Sequence, residues 1–355
     1  MKGRRYVILV LLCFISLVAM IPVKPAQAAS PIKVAASIEP LAGLAEEVGG
    51  SHVEMSVLLP EGIEPHAATL PPQAVSDAQA ADLLVLTGHF PWEADLLSQV
   101  STPYITMDDA SALENYEDYG ARLSEMPGQP VEGGAFYSAQ HDHEGNLHGW
   151  WLLPVNAIAI ANATRAALST LNSTLSLTWQ SNFKEFVTNV DAFGQLVATT
   201  DETYHFSAMK AVVVSPAEAY IAEAFGIEAT AVLQVEEVLV SGAELLEIQD
   251  AIRNGTIDLI LGSDVARLQA GGEYAVQLSE DYSLPLVWCR AVFFEGLLDY
   301  IAVMTYNLGS LTSGLESDVG TGGGPVNVAL IGFAGVFAVV ALLEAVVLVQ
   351  RAKSD

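Results

Sequence analysis

Histidine is the residue type whose placement in this sequence says most about chemistry. His66 closes the string Pro60-Glu-Gly-Ile-Glu-Pro-His66, which follows a strand pattern and precedes a helix opening on Pro71-Pro72. An imidazole on such a loop is a good ligand for a borderline cation such as zinc. A second concentration, Gln140-His141-Asp-His143-Glu-Gly-Asn-Leu-His148, is a cluster of histidines and acids in a stretch with little periodicity. A polar loop that contains histidines by chance has the same composition. His89 and His205 have no supporting motif and read as ordinary surface or strand-end residues. The chain has no glycine-rich phosphate loop, G-x-S-x-G elbow, H-E-x-x-H or C-x-x-C, and no acid pair whose context marks it for proton transfer. The expectation is a binding protein and no enzyme.

A loop histidine needs strand ends and helix starts to hold it. Ile32–Ile38, Val53–Leu59 and Asp82–Thr87 read as strands, with helical spacing over Pro40–Val48 and Pro71–Ala81 between them. The same alternation returns with strands at Ala211–Ser215, Ile257–Leu261 and Leu284–Trp288, and helices at Ala217–Phe225, Ala243–Arg253 and Phe294–Leu308. Strands alternating with helices predict an α/β fold with mainly parallel sheets. Between the two halves, Phe183, Phe186, Val187, Val190, Phe193 and Val197 share one face of a long helical pattern, a candidate rigid connector. Two lobes are therefore expected: residues 30–172, with the histidine-containing loop at 120–148, and residues 201–315, joined by a helix over 173–200.

Both termini look like membrane signals. Met-Lys-Gly-Arg-Arg, an apolar run from Tyr6 to Met20 and Ala26-Gln27-Ala28 predict a secretory signal peptide over residues 1–29. A Gly-rich linker at 316–327 leads to Val328–Val349, where Glu344 is the single charge, followed by Arg351 and Lys353. That pattern predicts a transmembrane helix over 328–350 with the tail 351–355 in the cytoplasm, and hence a single-pass membrane protein with its large domain outside the cell. The net charge of −28 disfavours any nucleic-acid partner. Of the two cysteines, Cys13 falls in the signal, so Cys289 has no partner for a disulfide within the mature chain.

Three strings, Val34-Ala-Ala-Ser-Ile-Glu-Pro-Leu41, Val57-Leu-Leu-Pro-Glu-Gly-Ile-Glu-Pro-His66 and Ala81-Asp-Leu-Leu-Val-Leu-Thr-Gly88, resemble the N-terminal lobe of the zinc/manganese-binding proteins of ABC transporters. Trp151-Leu-Leu-Pro154-Val-Asn156, Tyr220-Ile-Ala-Glu-Ala-Phe-Gly226 and the Tyr300…Asn307 helix extend the resemblance over residues 32–310. It implies a cation, Zn²⁺ or alternatively Mn²⁺, held in a cleft between two lobes and passed to a permease and its ATPase. His66 matches the family's first ligand. The second stands two residues before a signature tryptophan: if that is Trp151 the position is Gly149 and the histidine has slipped to His148, and if it is Trp150 His148 fits while the following Pro and Asn are displaced by one. The histidine expected before the Tyr220-like position is replaced by Ser215-Pro216, and the aspartate after the last strand by Trp288-Cys289-Arg290.

Cys289 is a possible thiolate ligand favoured by Arg290, although a lone cysteine with apolar neighbours is usually structural. Glu218 and Asp264 stand near strand ends of the same lobe and could supply oxygen. Histidine-bearing loops are held to scavenge metal in this family, a role open to His141 and His143. Two further readings remain. The chain could be a degenerate member that binds another ligand or acts as a surface interaction protein, as the absent third histidine suggests, or a zinc-dependent hydrolase. Imidazole ligands imply binding that weakens below about pH 6.

Overall fold

The computed structural model describes residues 30–128, 145–236, 238–293 and 296–317. The N-terminal lobe is built on a five-stranded parallel sheet ordered β2-β1-β3-β4-β5. These strands are β1 (Ile32–Ala36), β2 (Val53–Val57), β3 (Leu83–Val85), β4 (Tyr104–Thr106) and β5 (Glu114–Asn115). Strand β1 lies between β2 and β3, pairing Ala36 with Val57 on one side and with Val85 on the other. Val34, Ala35, Ala36 and all of β3 are buried, as a parallel sheet covered on both faces requires. Helices α1 (Glu39–Gly49), α2 (Pro72–Ala80) and α3 (Pro91–Leu97) follow β1, β2 and β3. Each carries proline in its first turn, where the missing N–H costs nothing.

Helix α4 (Pro154–Leu171) leads through a tight turn into α5 (Ser176–Tyr204), whose 29 residues span about 43 Å. Near its start, the Asn182 side chain donates to Val48 O of the N-terminal lobe at 2.8 Å. Farther along, Phe186 meets Tyr300 and Phe193 meets Phe225, both edge to face. One apolar stripe therefore braces both lobes.

The second sheet is also parallel, ordered β11-β10-β6-β7. It comprises β6 (Lys210–Val213), β7 (Glu228–Val232), β10 (Leu259–Ser263) and β11 (Leu286–Cys289), with a short antiparallel hairpin of β8 (Gln234–Val235) and β9 (Val238–Leu239) beside it. Its helices are α6 (Ala217–Phe225), α7 (Gly242–Arg253), α8 (Ala270–Tyr282) and α9 (Tyr300–Ser317). The buried core is continuous from one lobe to the other, through Trp150, Trp151, Leu152 and Tyr300. The α/β, two-lobed expectation matches this architecture.

Three expectations are revised. The last helix begins at Tyr300 rather than Phe294, because Asp299 accepts the Ala302 N–H at 2.7 Å and caps the first turn there. The stretch after Gly120, expected as an aperiodic loop, is tied down at its start: Arg122 and Ser124 both bind the Glu223 carboxylate on α6 at 2.5 Å. Third, the single-pass membrane localisation is corrected. Among the described residues no helix is long and apolar enough to cross a membrane. The segments 1–29 and 328–350 on which that expectation rested lie outside the described residues, as do His141 and His143.

Candidate metal centre

Loops leaving the C-terminal ends of both sheets meet in one cleft, where open α/β sheets bind ligands. From the N-terminal lobe, the loop after β2 brings His66 and the loop after β3 brings His89; His148 arrives on the segment before α4. One potential ligand atom from each of the three lies within 4.8 Å of the others. The ring centroids are 4.8 Å apart for His66 and His89, 5.1 Å for His66 and His148, and 4.5 Å for His89 and His148.

Each ring is aimed by a neighbour. Glu64 accepts from His66 Nδ1 at 3.1 Å and from the Ala67 N–H at 2.7 Å. Burial pulls the Glu64 carboxyl upward, but these hydrogen bonds outweigh it and hold the group below its usual range. With the proton fixed on Nδ1, Nε2 of His66 is the lone-pair atom, the arrangement that orients metal-binding imidazoles. Phe90 lies edge-on to the His66 ring, and the Trp92 indole donates to Pro65 O at 3.1 Å, pinning the loop below.

His148 is held in the same manner. Its Nδ1 lies 3.3 Å from Asn146 Oδ1, which also accepts the His148 N–H at 3.0 Å. Asn146 is fully buried and donates to Pro216 O of the opposite lobe at 2.8 Å. The next residue, Gly149, has φ +78, and a Cβ there would lie 2.9 Å from Ala217. Only glycine lets the chain turn so close to α6.

His89, expected as an ordinary surface or strand-end residue, stands on the loop leaving β3 and is 3% exposed. Gly88, at φ +75, turns the chain as it leaves β3, and the buried Glu93 carboxylate gathers the loop. Glu93 accepts the N–H groups of Thr87, His89 and Phe90 at 2.8, 3.0 and 3.3 Å, and the Thr87 hydroxyl at 2.9 Å. His89 Nε2 then lies 2.8 Å from His66 Nε2, a hydrogen bond into the lone pair that Glu64 leaves available. Two nitrogens bound to one tetrahedral zinc ion would stand about 3.3 Å apart, given Zn–N distances of ~2.0–2.1 Å. A shift of roughly half an ångström, together with release of the His89 Nε2 proton or its transfer to Nδ1, would let both nitrogens bind one ion. His89 obeys the same strand-end rule as His66, and that rule applied to Thr87-Gly88-His89 would have found it.

The other residues considered from sequence stand apart from the three imidazoles. Asp264 accepts the N–H groups of Ala291 and Phe293 at 3.1 and 2.8 Å and so shapes the loop after β11. Burial pushes it up to about 6. Glu218 is fully buried, accepts the Ser215 N–H at 2.6 Å, and is pushed by burial to about 7. Cys289 is buried, and burial, then Glu218 and Asp264, drive its thiol well above its ordinary range. That is the opposite of the thiolate expected beside Arg290, whose guanidinium sits over the Tyr306 ring at 4.8 Å instead. Ser215 lines the cleft without supplying nitrogen. His205 caps the end of α5, away from the site.

The family model for the zinc-uptake complex component A, periplasmic (ZnuA), matches residues 34–314. A comparison with curated protein sequences finds no match. Among solved structures, a crystal structure of ZnuA is similar at 17% identity, covering 80% of this chain and 98% of that one, with a TM-score of 0.63. FpvC of Pseudomonas aeruginosa in complex with Ni²⁺ aligns at 15% identity over 84% of this chain and 100% of that one, TM-score 0.62. The laminin-binding adhesin Lmb of Streptococcus agalactiae, in a mutant structure, aligns at 18% identity over 80% of this chain and 99% of its own, TM-score 0.63. At these identities the structural likeness concerns the fold.

Proposed function

This chain belongs to the ZnuA family of periplasmic metal-binding, solute-binding proteins, and on that premise we propose that it captures Zn²⁺ through His66, His89 and His148 and delivers it to an ABC permease. The observation that carries the reading is the convergence of the three rings, with Nδ1 of His66 and His148 each engaged by an oxygen acceptor. Neutral imidazole suits zinc and its late transition-metal neighbours, whereas manganese favours oxygen donors, so zinc is preferred over Mn²⁺ as cargo. ZnuA with zinc bound and FpvC with Ni²⁺ or Mn²⁺ are structures of similar proteins, which agrees with a divalent cation as ligand. The degenerate-scaffold reading leaned on a third histidine missing from the C-terminal lobe; His89 of the N-terminal lobe offers a third imidazole instead.

The test is calorimetric titration of the full chain with Zn²⁺ and with Mn²⁺, beside His66→Ala, His89→Ala and His148→Ala. One tight zinc per chain, weakened at least a hundredfold in each variant, is expected. A wild-type chain that takes up no zinc, or a His89→Ala variant that binds as tightly as wild type, overturns the assignment.

A further inference from the structure

All three imidazoles belong to the N-terminal lobe, which leaves open what the C-terminal lobe offers the cation. Among the described residues that line the cleft from that lobe, including Ser215, Val265, Gln269 and Ala291, Glu236 alone is charged. Glu236 and His148 are also the two residues that line both this cleft and a larger neighbouring cavity of about 590 Å³. Carboxylate and imidazole thus flank one opening.

The backbone at Glu236 is the second observation. Strands β8 and β9 pair Val235 with Val238, so Glu236 opens a tight hairpin turn between them. Such turns need positive φ and favour Asn-Gly. Glu236 occupies the first place at φ +53, a conformation that a residue with a Cβ avoids. The other non-glycine residues with positive φ among those described, His205 and Ser283, both end helices, where this conformation is ordinary. Glu236 has no such excuse. The turn is also tied down: buried Gln234 donates to Glu236 O at 2.5 Å and accepts the Gly271 N–H at 2.6 Å. A strained backbone, fixed in place and bearing the lobe's one cleft-lining charge, points to a function for the side chain.

Resting on the zinc-site reading above, we propose that Glu236 is the C-terminal lobe's ligand, its carboxylate completing the three-imidazole set. Three nitrogens and one oxygen fill a tetrahedral zinc site, and the carboxylate offsets half of the ion's charge. The N-terminal lobe then selects the cation by imidazole, while Glu236 ties occupancy to the apposition of the two lobes.

The experiment titrates Zn²⁺ into the full chain as wild type, Glu236→Gln and Glu236→Gly, and measures the melting temperature of each without metal. Both variants are expected to bind one zinc at least tenfold more weakly. Glu236→Gly should in addition melt higher than wild type without metal, because glycine accepts the turn freely. Cobalt in place of zinc should show an altered visible absorption in Glu236→Gln, which a purely structural role would leave unchanged. Wild-type affinity in both variants overturns the proposal and leaves the three-imidazole site standing. Weaker binding accompanied by lower metal-free melting in both variants assigns Glu236 a structural role and also overturns it. A wild-type chain without zinc affinity overturns the site and the proposal together.

Discussion

At the scale of single residues, the site depends on which nitrogen of each ring carries the proton. Glu64 settles this for His66, and Asn146 does so for His148, each by accepting from Nδ1. The two acceptors are not equivalent. Asn146 offers a neutral amide, whereas Glu64 adds negative charge behind a ring that would face a dication, which makes that imidazole more basic toward the metal. Glu64→Gln keeps an oxygen acceptor but removes the charge. Its zinc affinity should fall about tenfold, at the low end for loss of a metal ligand's supporting partner. Calorimetry beside wild type checks this, and an unchanged affinity would show that Glu64 only shapes the loop.

At the scale of elements, the strand-to-helix turns decide where the rings stand. His89 lies between the end of β3 and the start of α3, and Glu93 in the first turn of that helix accepts three N–H groups and a hydroxyl from residues 87–90. Glu93→Ala would leave several buried donors without an acceptor, each costing about 1–3 kcal/mol if unsatisfied. Metal-free melting should drop by several degrees, and zinc should bind more weakly because the loop no longer presents His89. Glu93→Gln, which retains one acceptor oxygen, should lose less of both. Melting curves with and without zinc separate the two effects, and a variant that melts lower yet binds zinc as tightly as wild type refutes the positioning role.

Much of this scale was legible in the sequence. The alternation of strand and helix patterns marked the sheets and their flanking helices, and His66 was found because its loop joins a strand to a Pro-Pro helix start. His89 was passed over because sequence order hides the strand order: β2 and β3 flank β1, so two loops 23 residues apart open onto one cleft. Glu236 left no trace at all, since β8 and β9 are two residues each, too short for alternation to register. The start of α9 is not legible in the sequence, because the capping role of Asp299 shows only once its partner N–H is placed.

At the scale of the whole molecule, acidity pulls the fold and the site in opposite directions. Glu47 is pushed up to about 7, chiefly by burial and then by Asp299 facing it; Glu218 likewise reaches about 7 and Asp264 about 6, both first through burial. A carboxyl whose pKa is higher in the folded than the unfolded chain favours folding when protonated. Its contribution is complete below the ordinary carboxylate values of 3.8–4.5 and is lost as pH rises through about 6 to 7. The chain's net charge of −28 acts with the same sign, since self-repulsion grows as carboxyls ionise. Glu64 and Asp109, held below their usual range, act oppositely, but their contributions fade only as pH falls below that range. The metal-free chain should therefore be most stable near pH 5. From Glu218 and Asp264 alone it should lose on the order of 4 kcal/mol by pH 8, with the half-buried Glu47 adding less because solvent screens it. Zinc competes with protons for the imidazoles, so its affinity, and with it the stability it confers, grows over the same interval. Melting curves at pH 5 and pH 8 should show the metal-free protein melting lower at pH 8 while the upward shift produced by zinc is larger there. Glu47→Gln should flatten the metal-free trend. A metal-free protein that gains stability steadily from pH 5 to pH 8 would mean that these buried carboxyls are ionised in the fold at little cost.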